Sequence, residues 1–281
     1  MKLVRYGNPG FERRGVIDAN GSLRDVHDIT NDDPGVFLDQ DSVETLRRLD
    51  LSILPKVDEG IRLGSCVAVP TNFIAVGLNY ADHAAESGMP IPVEPILFSK
   101  APNCIVGPND DVVIPRGSLK TDWEIELAFV IGKRAFNVAE NEAMSHVAGF
   151  CICNDVSERS WQIEGTGQWL KGKSAPTFGP LGPWLVTPDE VKNVDNLQME
   201  LRVDGKVMQT GSTATMIFKV PYLLSYISKF MELLPGDVVT TGTPPGVGMG
   251  KKPPIYLEAG QLMDLSIENL GVQRQAVKAQ G

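Results

Sequence analysis

Short apolar runs broken by glycine, proline and asparagine recur along the chain, a pattern typical of β-strands joined by tight turns. Over residues 1–68 this pattern predicts a small α/β module. Asn20-Gly21 is a strong hairpin signal within it. Asp41 with Glu44 resembles a capping box and predicts that a helix follows. The strand candidates of the module are 4–7, 14–18 and 22–26.

Residues 69–281 predict a larger unit in which strands again dominate. Two helices are expected there, a short one at 139–146 and a longer one at 221–233, whose apolar residues fall on one face. The predicted fold class is therefore α+β and mainly β, with the boundary between the two units near residue 68. The strand candidates of the larger unit are 73–78, 95–99, 111–115, 122–131, 237–241 and 262–267.

Two glutamates lie two positions apart in the strand candidate at 122–131. Successive side chains on a strand point to opposite faces, so Glu124 and Glu126 share one face while Ile125 points to the other. Two carboxylates on an apolar strand are costly to leave unpaired, and oxygen ligands favour a hard divalent ion such as Mg²⁺, Mn²⁺ or Ca²⁺. The alternative is that both glutamates mark the wet side of an amphipathic strand.

Asp155 stands at the end of another apolar strand, residues 149–154, and could add a third carboxylate to the two glutamates. Arg159 and Gln162 follow on one side of a predicted helical turn. Arginine is suited to gripping a substrate carboxylate with two parallel hydrogen bonds. The alternative makes Asp155 a helix N-cap and Arg159 its partner in a surface ion pair.

A polar segment follows the strand candidate at 73–78 and presents His83 and Glu86. Positions three apart share a face of a helical turn, so Glu86 could orient His83 as a general base. The segment 88–92 is rich in glycine and proline and is a natural boundary for a mobile lid. The alternative is a solvated surface turn with an isolated histidine.

Two further segments could carry chemistry. Lys171 and Lys173 lie in a region rich in glycine and aromatic residues, where one lysine could stabilise a developing enolate; their proximity leaves the choice open. Residues 240–248 form a Gly/Pro/Thr loop whose backbone N–H groups could hold an anion, although they do not match a P-loop. A solvated loop lysine and a tight structural loop are the alternatives.

The composition narrows the class of function. A net charge of −9 over 281 residues argues against nucleic-acid binding. No apolar stretch approaches a membrane span and the N-terminus lacks a secretory signal, so we expect a cytoplasmic protein. The cysteines lack the spacing of a zinc or redox motif and are expected to be small buried residues. They are Cys66, Cys104, Cys151 and Cys153.

Five segments occurring in one order resemble the fumarylacetoacetate hydrolase family over about residues 69–270. Each is weak alone, and the ordered set carries the resemblance. It implies a mixed β-roll that usually forms a homodimer. The segments are Gly77-Leu78-Asn79-Tyr80 with His83 and Glu86, Phe98-Ser99-Lys100, Asp122 with Glu124-Ile125-Glu126, Asn154-Asp155 with Arg159 and Lys173-Ser174, and the loop from Thr241 to Gly248.

The resemblance further implies a site for Mg²⁺ or Mn²⁺ held by three carboxylates, here Glu124, Glu126 and Asp155. One departure is Pro176, where close members often carry aspartate; it should alter a loop without removing a ligand. The other implied positions are a His–Glu dyad at His83 and Glu86, an active-site lysine at Lys173 rather than Lys171, and substrate contacts at Phe98, Lys100, Arg159, Gln162 and Thr243.

We therefore expect a metal-dependent hydrolase of a 2,4-dioxo acid, including 2,4-diketo-3-deoxy sugar acids. The ion would act as a Lewis acid, His83 would activate water, and Lys173 would stabilise the enolate as a C–C bond breaks. The products would be pyruvate and a carboxylic acid. The family also contains a ureidoglycolate lyase, decarboxylases and isomerases of unsaturated 2-oxo dioates, which stay as alternatives. A non-enzymatic dicarboxylate-binding protein is disfavoured, because binding needs no general base.

Overall fold

The structure is a computed structural model that describes residues 1–30, 38 and 40–281. Strands far outnumber helices in this part of the chain. The strands are β1 (Lys2–Tyr6), β2 (Arg13–Ile17), β3 (Leu23–Asp25), β4 (Phe73–Gly77), β5 (Ile96–Ser99), β6 (Ile105–Val106), β7 (Val112–Ile114), β8 (Thr121–Asp122), β9 (Ile125–Ile131), β10 (Val147–Asn154), β11 (Ser157–Glu158), β12 (Gly179–Val186), β13 (Gln198–Val203), β14 (Lys206–Ser212), β15 (Val238–Thr240), β16 (Leu262–Ile267) and β17 (Gly271–Ala279).

The helices are short. Short 3-10 helices supplement them, and within the described ranges no helix is long and apolar enough to cross a membrane. The α-helices are α1 (Gln40–Arg47), α2 (Ala81–Glu86), α3 (Arg159–Ile163), α4 (Trp169–Lys173) and α5 (Val220–Ser228). The 3-10 helices are Leu51–Ile53, Pro102–Cys104, Glu140–His146, Pro188–Glu190, Val194–Asn196, Thr213–Thr215 and Gly248–Gly250.

The largest sheet has the order β3-β2-β1-β12-β10-β9-β15-β4-β5, with β6 added beside β12. Its centre is the antiparallel pair β9–β10, in which every residue is buried. Such continuous apolar strands are expected where both faces of a sheet are covered. The strands of the first 68 residues continue this sheet, because β1 pairs with β12 through Leu3 and Leu185. The domain boundary at residue 68 stays a prediction.

A second sheet, β14-β13-β16-β17-β7, packs against the first. Gln273 of β17 ties the two together, since its side-chain N–H groups donate to the carbonyls of Ile152 (2.8 Å) and Gly182 (3.1 Å). Both sheets mix parallel and antiparallel pairs. The predicted fold class, α+β and mainly β, is confirmed. The four cysteines are buried and free, as the sequence predicts.

The helix predictions need correction. The segment predicted as a helix at 139–146 is a 3-10 helix, Glu140–His146. The helix predicted at 221–233 ends at Ser228, where a tertiary bond from the Asn137 N–H (2.8 Å) takes the carbonyl that another turn would use. The predicted helix near Asp41 is present, but it begins at Gln40, so Asp41 lies in its first turn and not before it.

Candidate active site

Three buried carboxylates meet where β9 begins and β10 ends. Glu126 is the second residue of β9, Glu124 immediately precedes that strand, and Asp155 immediately follows β10. The antiparallel register places Cys153 opposite Glu126, and the Asp155 N–H donates to the Glu124 carbonyl at 2.9 Å. One oxygen of each carboxylate lies within 4.8 Å of the others. The side chains of Glu124 and Glu126 therefore face a polar centre rather than solvent.

Buried cations surround these carboxylates. Lys173, the last residue of α4, places its Nζ 2.6 Å from Glu124 Oε2 and 2.7 Å from Asp155 Oδ2. The guanidinium of Arg159, the first residue of α3, lies 2.6 Å from Glu124 Oε1. Lys100 Nζ lies 2.6 Å from Asp155 Oδ1. These cations pair with Glu124 and Asp155 in a buried region, where an unpaired charge would be costly.

The pKa values of Glu124 and Glu126 are shifted in opposite directions. Burial alone would raise the pKa of Glu124, but the charges of Lys173 and Arg159 outweigh it and lower that pKa to about 2. Burial raises the pKa of Glu126 well above its usual value, and repulsion from Asp155 and Glu124 adds to the effect. In the described part of the chain Glu126 has no ion pair; its Oε2 accepts the Gly242 N–H at 2.9 Å.

This donor set fits a hard divalent ion. It offers three carboxylates and no sulfur or nitrogen ligand, which suits Mg²⁺ or Mn²⁺. A cation beside Glu126 would favour its charged form and so offset the burial and the repulsion that raise its pKa. The residues predicted as metal ligands from the sequence are thus brought together.

Arg159 is held from several sides. Its Nε donates to Asp122 Oδ2 at 2.8 Å, and its Nη1 donates to Gln162 Oε1 at 2.9 Å. The alternative of a surface ion pair is wrong, because Arg159 is buried, and Asp155 is not a helix cap. Glu158 caps α3 by accepting the Ser160 N–H at 3.1 Å.

Asp122 is a site residue that the predicted set lacks. It accepts the backbone N–H groups of Gly248 (2.7 Å) and Met249 (2.9 Å) in addition to Arg159. It therefore fixes both the arginine and the loop beside it. The sequence feature that could have identified Asp122 as a site residue is its position in the same strand segment as Glu124 and Glu126.

The His83–Glu86 dyad is formed on α2. His83 Nδ1 lies 3.3 Å from Glu86 Oε2. The Glu86 carboxylate also accepts the Gly246 N–H, at 3.1 and 3.0 Å to its two oxygens. Glu86 thus joins α2 to the Gly/Pro/Thr loop.

Thr243 and Gln209 position that loop against β9. The Thr243 hydroxyl donates to the Ile125 carbonyl at 2.8 Å and accepts from Gln209 Nε2 at 2.8 Å. Gln209 Oε1 accepts the Ile125 N–H at 2.9 Å. Gln209, on β14, was missed from the sequence because nothing near it in the chain signals a site.

A cavity of about 560 Å³ opens onto this centre. Lys100 is not among its lining residues: its side chain is buried against Asp155 and bonds the Lys173 carbonyl. The substrate contact predicted for Lys100 therefore stays a prediction, and in this structure its ammonium group pairs with Asp155. Asp155 likewise lies beneath the cavity wall. The predicted residues that line the cavity are His83, Glu86, Phe98, Glu124, Glu126, Arg159, Gln162, Lys173 and Thr243.

Comparison with known proteins decides the family. The family model for the C-terminal region of fumarylacetoacetate hydrolase matches residues 72–278, most of the chain. The chain belongs to the fumarylacetoacetate hydrolase family. It is also 54% identical over 280 residues to a provisionally named hydrolase of Burkholderia multivorans, with 99% of each chain covered.

Solved structures agree over the full length of both chains. The fumarylacetoacetate hydrolase from psychrophilic Exiguobacterium antarcticum is 38% identical, with a TM-score of 0.85 and 100% of each chain covered. A 5-carboxymethyl-2-hydroxymuconate delta-isomerase from Mycobacterium smegmatis is 29% identical, with a TM-score of 0.81 and the same coverage. Maleylpyruvate hydrolase from Sphingobium sp. SYK-6, solved with manganese(II) and pyruvate, is 26% identical, with a TM-score of 0.84 and again 100% of each chain. These relatives support a hydrolase or isomerase of this family.

Proposed function

We propose that this protein is a Mg²⁺- or Mn²⁺-dependent hydrolase that cleaves a C–C bond in a 2,4-dioxo acid. The products are pyruvate and a carboxylic acid. The observation that carries the proposal is the placement of Lys173 between Glu124 and Asp155, in a cavity that also contains His83 and Glu86. A carboxylate triad, an ammonium group and an oriented histidine are together what hydrolysis of such a bond requires.

Glu124, Glu126 and Asp155 are the residues that would hold the ion. When bound, it supplies Lewis-acid stabilisation to the chelated 2-oxo carboxylate. The solved complex of the Sphingobium maleylpyruvate hydrolase with manganese(II) and pyruvate supports this part of the proposal.

His83 takes the proton from water, and Glu86 holds the imidazole in orientation through its 3.3 Å contact with Nδ1. The hydroxide adds to the carbonyl remote from the carboxylate, and the C–C bond breaks with its electron pair entering the pyruvate enolate. The ammonium of Lys173 stabilises that negative charge. Protonation of the enolate then gives pyruvate, and the added oxygen remains in the carboxylic acid.

Isomerisation of an unsaturated 2-oxo dioate is the second candidate. Its support is the similarity to the delta-isomerase from Mycobacterium smegmatis, and a proton shuttle between two carbons could use the same dyad. The two reactions differ in whether water enters the product.

A panel of 2,4-dioxo acids and unsaturated 2-oxo dioates, assayed with Mg²⁺ or Mn²⁺ in ¹⁸O-labelled water, separates these reactions. Hydrolysis gives two products, pyruvate and a carboxylic acid labelled in its carboxylate, whereas isomerisation gives one product that keeps all carbons of the substrate and gains no oxygen from water beyond exchange of its keto group. Glu126→Ala should abolish turnover and metal binding while the fold is retained. Full activity in excess chelator, or in that variant, would refute the proposal.

A further inference from the structure

An aromatic wall, formed by Phe98 and Trp169, lines the cavity next to the carboxylate centre. The Phe98 and Trp169 rings meet edge to face, with their centroids 5.1 Å apart. Lys173 Nζ lies 5.4 Å from the centre of the Phe98 ring, so the wall begins directly beside the ammonium group. The indole of Trp169 packs over Gly77 at the end of β4, where an added Cβ would overlap it.

Further apolar side chains line the cavity. Leu78, Ile96, Ile163 and Met249 all line the same cavity. Together with Phe98 and Trp169 they give the cavity a largely apolar surface, on which the indole N–H of Trp169 is a hydrogen-bond donor. An uncharged apolar group placed there loses no partner, whereas each buried hydroxyl without a partner costs free energy.

The polar groups of the cavity are largely committed elsewhere. Arg159 bonds Asp122, Glu124 and Gln162, and the Thr243 hydroxyl bonds the backbone of β9. Lys251 and Lys252 also line the cavity, but both are at least partly exposed, which marks its solvent side. The chelating end of a substrate would meet the dense charge of Glu124, Arg159 and Lys173.

We infer that the substrate is an acylpyruvate-type acid whose arm, beyond the second carbonyl, is an alkyl or aryl group rather than a polyol, and that Trp169 determines this specificity. The inference rests on the proposed function and narrows it. A 2,4-diketo-3-deoxy sugar acid would place its hydroxyls against the Phe98–Trp169 wall. An apolar arm would instead bury its methylenes there, and each methylene in such a pocket changes kcat/KM by about 10-fold or more.

The test compares two series of 2,4-dioxo acids with equal carbon number, one with alkyl or phenyl arms and one with hydroxylated arms. In the wild-type enzyme kcat/KM should rise about 10-fold per added methylene in the first series and exceed the hydroxylated series by about 100-fold. Trp169→Asn should lose most of that preference, and Trp169→Phe should retain it. Oxalate, which mimics only the chelating end, should bind both variants as tightly as wild type in the presence of Mg²⁺.

Ile163→Asn provides an independent variant should Trp169→Asn fail to fold, because Ile163 is 46% exposed and easily replaced. It should also reduce the preference for apolar arms. Ile53→Asn, at a 78% exposed position outside the cavity lining, is the matched control and should leave the preference unchanged. Faster cleavage of the hydroxylated series would overturn the inference but leave the proposed function standing. Failure to cleave either series would overturn both.

Discussion

Lys100 Nζ lies 2.6 Å from Asp155 Oδ1, and both side chains are almost completely buried. Removing one partner of a buried ion pair costs about 3–5 kcal/mol when the other charge is left unpaired, and Asp155 would keep only its pair with Lys173. Lys100→Met should therefore lower the free energy of unfolding in urea titrations, by no more than that amount. Lys133→Met, which replaces an exposed lysine, should change it little. Equal stability of the two variants would show that Lys100 does not support Asp155.

Metal binding should release a proton. Burial and the neighbouring carboxylates raise the pKa of Glu126 well above its usual value, so without an ion this carboxyl keeps its proton to unusually high pH. Binding an ion requires the carboxylate, so affinity should increase as pH rises toward that raised pKa and level off above it. Calorimetry with Mg²⁺ in two buffers of different ionisation enthalpy measures the released proton.

Glu126→Gln is the control for this experiment, because it keeps the shape of the side chain and cannot titrate. It should bind Mg²⁺ more weakly, with no proton released by residue 126. Identical heats in both buffers for the wild-type protein, across a pH series, would contradict the proton release.

The Glu86 carboxylate both orients His83 and anchors α2 to Gly246. Glu86→Gln preserves an acceptor for the Gly246 N–H but removes the charge beside the imidazole. We expect kcat to fall by about 10²–10⁴-fold, the usual contribution of a general base, with Mg²⁺ affinity nearly unchanged. Glu94→Gln, whose carboxylate accepts from the Tyr226 hydroxyl outside the cavity lining, should retain full activity. A Glu86→Gln enzyme of normal kcat would remove the dyad from the reaction.

Asp122 acts through Arg159, whose Nε donates to it at 2.8 Å. Asp122→Asn should weaken the contact that positions the Arg159 guanidinium beside Glu124. It should also weaken the contact of residue 122 with the loop at Gly248. Loss of such a supporting contact typically reduces metal affinity or activity by about 10- to 100-fold. Mg²⁺ titration and kcat/KM measure the two effects, with the exposed Asp58→Asn as control. A loss of stability with unchanged metal affinity and activity would confine Asp122 to a structural role.

The local part of the site could be predicted from the sequence because it depends on side-chain alternation and short spacing. Glu124 and Glu126 share a face by the geometry of one strand, and His83 and Glu86 by that of one helical turn. Asp155 was a candidate third carboxylate from its position at the end of an apolar strand, and the family resemblance then supported it and supplied the choice of Lys173. These predictions needed no knowledge of how distant segments pack.

What the sequence could not reveal depends on tertiary contacts. Lys100 follows β5, and only the folded chain places its ammonium against Asp155 rather than in the cavity. Gln209 reaches β9 from another sheet, and the length of α5 is set by the bond from Asn137 to Ser228. Propensity and periodicity carry no information on such pairings, because the partners lie far apart in the chain.

The contact of Trp169 with Gly77 determines where the indole ring lies in the cavity. A methyl group introduced at position 77 would push the indole from its seat, since the added carbon and the ring would overlap. Gly77, whose side chain is a single hydrogen atom, thus sets how closely the Trp169 ring can approach β4. We therefore expect the combination of residues at positions 77 and 169 to distinguish family members that accept different substrate arms, even where every catalytic group is the same.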